Sequence, residues 1–317
     1  MKHAHWIAGC FLTVGAALGA CNSAGISHSS DAGTGGTTVV DAGATGTGGS
    51  VTSVDSGTPV GGTDAAPPSN CVGVSAAGVY VLDVQGTLLR FDPGSLAFTR
   101  LGDLNCPGVA SGDYNSMAVD RNGFAWVNAV PGGVSRLFKL DLKTLACSDT
   151  TFDSQDLQSF GMGFSSDQAG SSAETLFIDS QVANPLGNSF GSIGFPSLGF
   201  TSLGGTDGSL EFTGTGDAQL WGFRPEAPAV VGQIDKTSGA FIKTFPAPEA
   251  SDQIGQVAYA FAFWADTFWI FLKDGGAPST SVYSVARSNG AMATAIPDTK
   301  LIIVGAGVST CAPFVIP

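Results

Sequence analysis

The only histidines in this 317-residue chain are His3, His5 and His28. Ser-His-Asp and Cys-His relays, and zinc held by imidazole, are therefore excluded from everything downstream. The chemistry that remains is carboxylate, amide and indole. Glu211 stands in Leu210-Glu211-Phe212-Thr213, a carboxylate in a register that equivalent segments fill with Ser, Gly or Ala. Asp120, Asp113 with Asn115 beside it, and Trp264 are the other side chains from which a sugar or cation site could be assembled. Glycoside hydrolysis needs two carboxyl groups ~5 to 9.5 Å apart. Glu211 and Asp120 occupy equivalent strands but lie four residues out of step, an offset of ~13 Å at ~3.3 Å per residue. They fail as a pair, and Asp113 remains as the partner Glu211 would need. Trp264 can stack on a sugar ring or plug a core. Clustered oxygens also suit calcium, the one cofactor the composition suggests, with its ligands unassigned.

Charged residues form 12% of the chain, against a usual ~25%, while hydrophobic residues reach 43% and there are 45 Gly and 16 Pro. That mixture suits short strands and tight turns and disfavours helical bundles. The net charge of -13 has the wrong sign for nucleic acid.

Residues 1–20 read as an export signal, with Lys2 before the apolar run Trp6 to Leu18, too short to span a membrane. The run Leu18-Gly19-Ala20-Cys21 resembles the bacterial lipobox. The resemblance implies that Cys21 is acylated, and two or three acyl chains attach a protein lastingly to a membrane. Asn22 lacks the Asp that retains some lipoproteins at the inner membrane, which points to the outer membrane or cell surface. Residues 21–70 follow as a linker of Gly, Ser, Thr, Ala and Asp with no aromatic residue and no Lys or Arg. Such a segment is expected to be disordered, with a span of roughly 40 Å.

Residues 71–317 repeat at a period of roughly 48 residues. Apolar strands centre on Tyr80, Trp126, Phe177, Trp221 and Trp269. Partner strands precede four of them, at Met117, Met162, Phe212 and Phe261, and a fifth at Ala306 has no aromatic strand after it. Recurring turns such as Phe91-Asp92-Pro93-Gly94 and Ile234-Asp235-Lys236-Thr237 add a second hairpin to each unit. Four strands per unit predict an all-β, five-bladed β-propeller in which Leu301 to Thr310 pairs into the first blade and closes the ring. Met117-Ala118-Val119-Asp120-Arg121-Asn122-Gly123-Phe124-Ala125-Trp126-Val127 resembles the strand, Asp-Gly turn, strand unit of bacterial propellers of the NHL and streptogramin-lyase-like kind. The lyases of that group rely on a catalytic His, so their activity does not carry over. Gly305 to Pro313 also resembles the end of uncharacterised bacterial lipoproteins, which implies no activity.

Along the inner strands, large residues (Met117, Met162, Phe212, Phe261) alternate with tiny ones (Gly161, Gly163, Ala260, Ala262, Gly305, Gly307). The large set is expected between blades and the tiny set along the ring's axis. In that scheme Glu211 is axial, or in solvent if a bulge shifts the register. Cys71, Cys106, Cys147 and Cys311 allow three disulfide connectivities. Ring closure favours Cys71 with Cys311, leaving Cys106 with Cys147.

The loops after the aromatic strands and those between blades share one face, which receives 13 acids, among them Asp83, Asp113, Asp156, Asp179, Asp207 and Glu226, against Arg224, Lys273 and Lys300. Asp is also simply a loop residue. The acid excess points to a surface-tethered binding module whose partners are a membrane, through the lipid, and a cation or basic protein at the acidic face. The alternative is a calcium-assisted hydrolase or lactonase acting on a small-molecule or carbohydrate substrate.

Overall fold

In a computed structural model of the chain, the described residues are 78–155, 157, 159–180, 189–252 and 258–313. The export signal, Cys21, the linker, Cys71 and Asp156 lie outside them. The chain divides into units 1–61 and 62–317, and the second contains every described residue.

Blade 1 contains β1 (Val79–Asp83), β2 (Thr87–Asp92) and β3 (Ala97–Asp103). Blade 2 follows with β4 (Tyr114–Val119), β5 (Phe124–Ala129), β6 (Arg136–Asp141) and β7 (Cys147–Asp149). Blade 3 has β8 (Phe160–Ser166), β9 (Glu174–Ser180), β10 (Phe190–Gly194) and β11 (Gly199–Gly204). Blade 4 has β12 (Glu211–Gly214), β13 (Leu220–Arg224), β14 (Val230–Ile234) and β15 (Phe241–Pro246). Blade 5 has β16 (Ala258–Trp264), β17 (Thr267–Lys273), β18 (Ser281–Ala286) and β19 (Met292–Ile296), and β20 (Ile303–Gly307) ends the set. Each sheet is a four-stranded antiparallel meander, and β20 is the inner strand of blade 1, in the order β20-β1-β2-β3. Tyr80 lies opposite Gly307, Val81 opposite Ala306 and Leu82 opposite Gly305. The fold is the five-bladed propeller that the repeat predicts.

The turns between the third and fourth strands form for a local reason. Asp92 Oδ1 accepts the N–H groups of Gly94 and Ser95 at 2.8 and 3.0 Å. Asp141 accepts those of Lys143 and Thr144, and Asp235 that of Thr237. A short side chain that supplies the acceptor of its own turn fixes the reversal without tertiary help. The Ser95 and Thr144 amides hold the Asp92 and Asp141 carboxyls below their ordinary range.

Cys106 and Cys147 form a disulfide that ties the loop before β4 to β7, an outer strand only three residues long. Cys311 is disulfide-bonded as well, to a partner outside the described residues. The remaining cysteines are Cys10, Cys21 and Cys71.

Apolar side chains gather in five clusters, and each cluster is one seam between neighbouring blades. Tyr80 packs with Met117 and Val119 at the first seam, and Trp126 with Met162 and Phe164 at the second. Phe177 with Phe212, Trp221 with Phe261, and Trp269 with Phe91 and Val81 complete the ring. The repeating aromatic thus always packs onto the following blade. Several of these contacts are tilted or edge-to-face, such as Trp269 with Phe91 at 5.2 Å between ring centroids, a geometry that contributes ~0.5 to 1.5 kcal/mol beyond area burial.

The tiny residues of the inner strands lie at the crowded axis, where Ala118, Gly163, Thr213 and Gly307 border the dimple between the strands. They face the inner strand of the next blade and receive its backbone and large side chains. A Cβ on Gly161 would lie 2.0 Å from the Leu210 carbonyl oxygen, and one on Gly163 would lie 2.7 Å from the Phe212 carbonyl. Gly305 and Gly307 press likewise on Met117 and Val119. The dimple where the strands converge, lined by Ala118, Gly163, Phe164, Thr213, Ala306 and Gly307 among others, leaves about 0 Å³ that a water molecule could enter.

These contacts predict a sharp contrast between glycines. Gly161→Ala forces backbone against backbone and is expected to destabilise the protein by ~3 kcal/mol or more in chemical denaturation. Gly199→Ala, whose nearest neighbour would be Ser197 Oγ at 3.8 Å, should stay within ~0.5 kcal/mol. Equal effects would mean that the inner strands are not closely packed.

Candidate functional site

The antiparallel order gives the ring two unlike faces. Loops after the second strand of each blade and connections between blades form the first face. The hairpins after the inner strands and the outer turns form the second.

At the first-face end of the axis, Glu211 opens β12 in regular register opposite Phe223 and is 1% exposed. No bulge carries it into solvent. The hydroxyl of Ser116, on the inner strand of blade 2, donates to Glu211 Oε2 at 2.9 Å. This bond crosses from blade 4 to blade 2, and the intervening inner strand contributes Gly161 at the matching position. Asn115 precedes Ser116. Its Nδ2 donates to Asn128 Oδ1 and to the Phe160 carbonyl, both at 3.0 Å, so the amide bridges blades 2 and 3. Asn128 in turn donates to Ser135 and to the Arg136 carbonyl. A solute cannot reach a 1%-exposed carboxylate, and general acid-base catalysis needs contact at ~2.6 to 3.2 Å. Glu211 and Asn115 therefore join blades as they stand.

Asp179 was legible in sequence only as one loop acid among thirteen, and the structure gives it a different position. It is 0% exposed at the end of β9, facing blade 4. Burial pushes its carboxyl up to about 7, against the hydrogen bonds from Thr206 and the Leu210 N–H, and the Glu226 carboxylate adds to the rise. The signal was its place two residues after Phe177, in the register that packs on the next blade.

The other sequence candidates lie apart from this end. Asp113 accepts the Ala110 N–H at 2.8 Å and stabilises its own loop. Asp120 belongs to the second face, where its Oδ1 accepts the Asn122 and Phe124 N–H groups and its Oδ2 the Trp126 indole N–H. With three donors on it, Asp120 is the cap of the β4–β5 hairpin and not an axial ligand. Trp264 is 5% exposed in the seam between blades 5 and 1, packed among Ala306 and Val308, and presents no stacking surface.

Most first-face acids are held by their own loops. Asp83 accepts the Gln85 and Thr87 amides, Asp153 that of Gln155, and Asp274 that of Gly276. Asp207 pairs with Arg224, and Asp298 with Lys300 and the Ser279 hydroxyl, contacts that hold the Asp298 carboxyl down to about 2. The strand bounds add the Arg136–Asp149 ion pair to this face, one charge of each sign. Among the described residues no group of three or more His, Cys, Asp or Glu side chains is arranged to hold a metal ion. The acids are spread around the ring, so the calcium reading has no ligand set there.

On the second face the cations join blades. Arg287 pairs with Asp217 of the previous blade at 3.0 Å and with Asp266 at 2.6 Å. Lys236 Nζ donates to the Ser166 carbonyl at 2.9 Å. Glu174 joins three blades, accepting the Arg121 N–H at 2.7 Å and the Thr310 hydroxyl at 2.8 Å. Burial raises its carboxyl to about 7 despite these bonds.

No protein-family model and no curated protein matches the sequence. Among solved structures, TolB from Acinetobacter baumannii is 9% identical over 70% of this chain and 51% of its own, with a TM-score of 0.42. This chain thus spans about half the length of that TolB. A chain of the nidogen/laminin complex is 12% identical over 73% and 98%, with a TM-score of 0.43. A protein of unknown function from Bacteroides caccae is 12% identical over 72% and 84%, with a TM-score of 0.42. At these identities the likeness extends to the fold alone.

The raised carboxyl of Glu174 has a definite consequence for stability. Below its ordinary value of 4.5 both folded and unfolded chains carry the proton, between 4.5 and about 7 only the unfolded chain ionises, and above that both do. Stability should therefore fall as pH rises through this window, by at most about 3 kcal/mol from this residue, and then level off. Urea titrations from pH 4.5 to 8 should show that slope reduced in Glu174→Gln, which keeps an acceptor for Arg121. An unchanged slope would assign the pH dependence elsewhere.

Proposed function

We propose that this protein is an exported lipoprotein, anchored through acylated Cys21 and carrying its propeller on the linker 21–70, and that it binds a basic partner at the first face. The observation that supports the binding reading is the exposure of acids in the first-face loops. Among the described residues Glu211 is covered, and the dimple lined by Ala118, Gly163 and Gly307 is too small for water, so neither offers a solute a polar site there. On the first face those loops carry Asp153, Asp207 and Glu249 exposed, and the acids there outnumber the bases. Acids hydrogen-bonded by their own loops still carry charge, and a surface of one sign steers a partner of the other. The lipid anchor rests on the residues Leu18-Gly19-Ala20-Cys21, and the outer membrane or cell surface is the location that Asn22 favours.

Two measurements test the two halves. Cells fed labelled palmitate should incorporate it into the wild-type chain and not into Cys21→Ala, which should leave the membrane fraction. Label retained by Cys21→Ala refutes the anchor. For the face, full-length protein is titrated with polylysine. Replacing Asp153, Asp207 and Glu249 by their amides should weaken binding about tenfold, with the loss vanishing at high salt. The same charge removed from the second face, at Asp92, Asp141 and Asp235, should cost far less. Equal losses would reduce the effect to net charge and refute a directional face.

A further inference from the structure

The connection from blade 3 to blade 4 is fastened by a carboxyl group that solvent does not reach. Asp179 Oδ2 accepts the Leu210 N–H at 2.9 Å, and its Oδ1 lies 2.6 Å from Thr206 Oγ1. The same Thr206 oxygen lies 2.9 Å from the Gly208 carbonyl oxygen. A hydroxyl has one proton to donate. It cannot serve an ionised Oδ1 and the Gly208 carbonyl together. All three contacts are satisfied when Oδ1 bears a proton of its own: Asp179 donates to Thr206, Thr206 donates to Gly208, and Oδ2 accepts from Leu210. Ionisation draws the Thr206 proton toward Asp179 and releases Gly208.

We propose that Asp179 is a proton-operated clamp, fastening residues 205–210 across the seam between blades 3 and 4 as the neutral acid and loosening them when it ionises. The surroundings favour the neutral form. Facing elements bring Glu226, whose Oε1 accepts the Ser209 N–H at 3.2 Å, and Glu211, held by Ser116. Asp207 is matched by Arg224, and Asp252 adjoins Glu226 through a backbone bridge. The register partners of Asp179 on β8 and β10 are Gly161 and Phe190, and the segment 181–188 carries no ionisable side chain. Among the described residues the apolar cluster at this seam comprises Phe177, Phe190, Leu210, Phe212, Leu220 and Ile234. The clamp holds whether or not the first face binds a basic partner.

Closed, Asp179 keeps its proton to about pH 7, whereas in an opened connection it returns to its ordinary value of 3.8. The opening equilibrium should then rise about tenfold per pH unit between those values and level off above the upper one. Hydrogen exchange of the full chain, corrected for intrinsic rates, reads this at the peptide containing Leu210, and carboxyl NMR reads the proton directly. The expected result is a carboxyl midpoint near 7 and exchange about fivefold faster at pH 7 than at pH 6. Asp179→Asn preserves all three hydrogen bonds, with Nδ2 donating to Thr206, and should stay protected at every pH. If that variant does not fold, Thr206→Val keeps the carboxyl but cuts the link to Gly208, and residues 205–210 should exchange fast throughout. A carboxyl midpoint below about 5, the wild-type slope persisting in Asp179→Asn, or wild-type protection in Thr206→Val would each overturn the clamp.

Discussion

Five inner strands meet around the axis at separations where a single methyl group decides whether two backbones can stand side by side. At Gly161 and Gly214 an added Cβ would fall 2.0 Å from a carbonyl oxygen of the neighbouring inner strand. Backbone cannot move aside as a flexible side chain can, so residue size at these positions sets the spacing of the blades. That spacing lets Met162, Phe212 and Phe261 seat against the preceding blade, and lets the aromatic of each second strand cover the next. A ring with larger residues there would open its axis and lose the seams together, because each inner strand presents one side to each neighbour.

Closure turns this local packing into a property of the whole ring. Without β20, the first blade would begin with β1 and expose a strand edge beside the axis. Pairing β20 to β1 removes that edge, and the tail just beyond is held again where Thr310 donates to Glu174, a residue of blade 3. Cys311 adds a covalent tie one residue later. The outer strands are treated differently. Their edges remain open, with β7 cut to three residues and bound by the Cys106–Cys147 disulfide.

Much of this was legible because local rules repeat five times. The aromatic at Tyr80, Trp126, Phe177, Trp221 and Trp269, the period-two alternation and the Asp turns each depend on a few neighbouring residues, and repetition separates them from chance. The spare strand near Ala306 followed from counting. Alternation along the inner strand assigns its large side to the seams and its small side to the axis. How closely the small side receives the next inner strand depends on blade spacing, which no single strand encodes. Asp120 resembled a ligand for a related reason. Its three donors include the indole N–H of Trp126, six residues on, which reaches it only after the hairpin folds. Asp179 lies where a strand ends, and a carboxylate there reads as loop unless the register of Phe177 is carried two residues further.

The polar groups inside the ring follow from the same spacing. Where the inner strands of blades 3 and 4 are close enough to require glycine at 161, 163 and 214, polar groups also cross the seam. The bonds that cross there are Ser165 to the Gln219 carbonyl, Lys236 to the Ser166 carbonyl, and Asp179 with Thr206 and the Leu210 amide. Hydrogen bonds between buried groups are specific in direction but contribute only ~0.5 to 1.5 kcal/mol net, and those made by an acid depend on its proton. A seam built this way resists sliding better than it resists separation. Titration in the ring is therefore felt where buried carboxyls join blades, at Asp179 between blades 3 and 4 and at Glu174 among blades 1, 2 and 3.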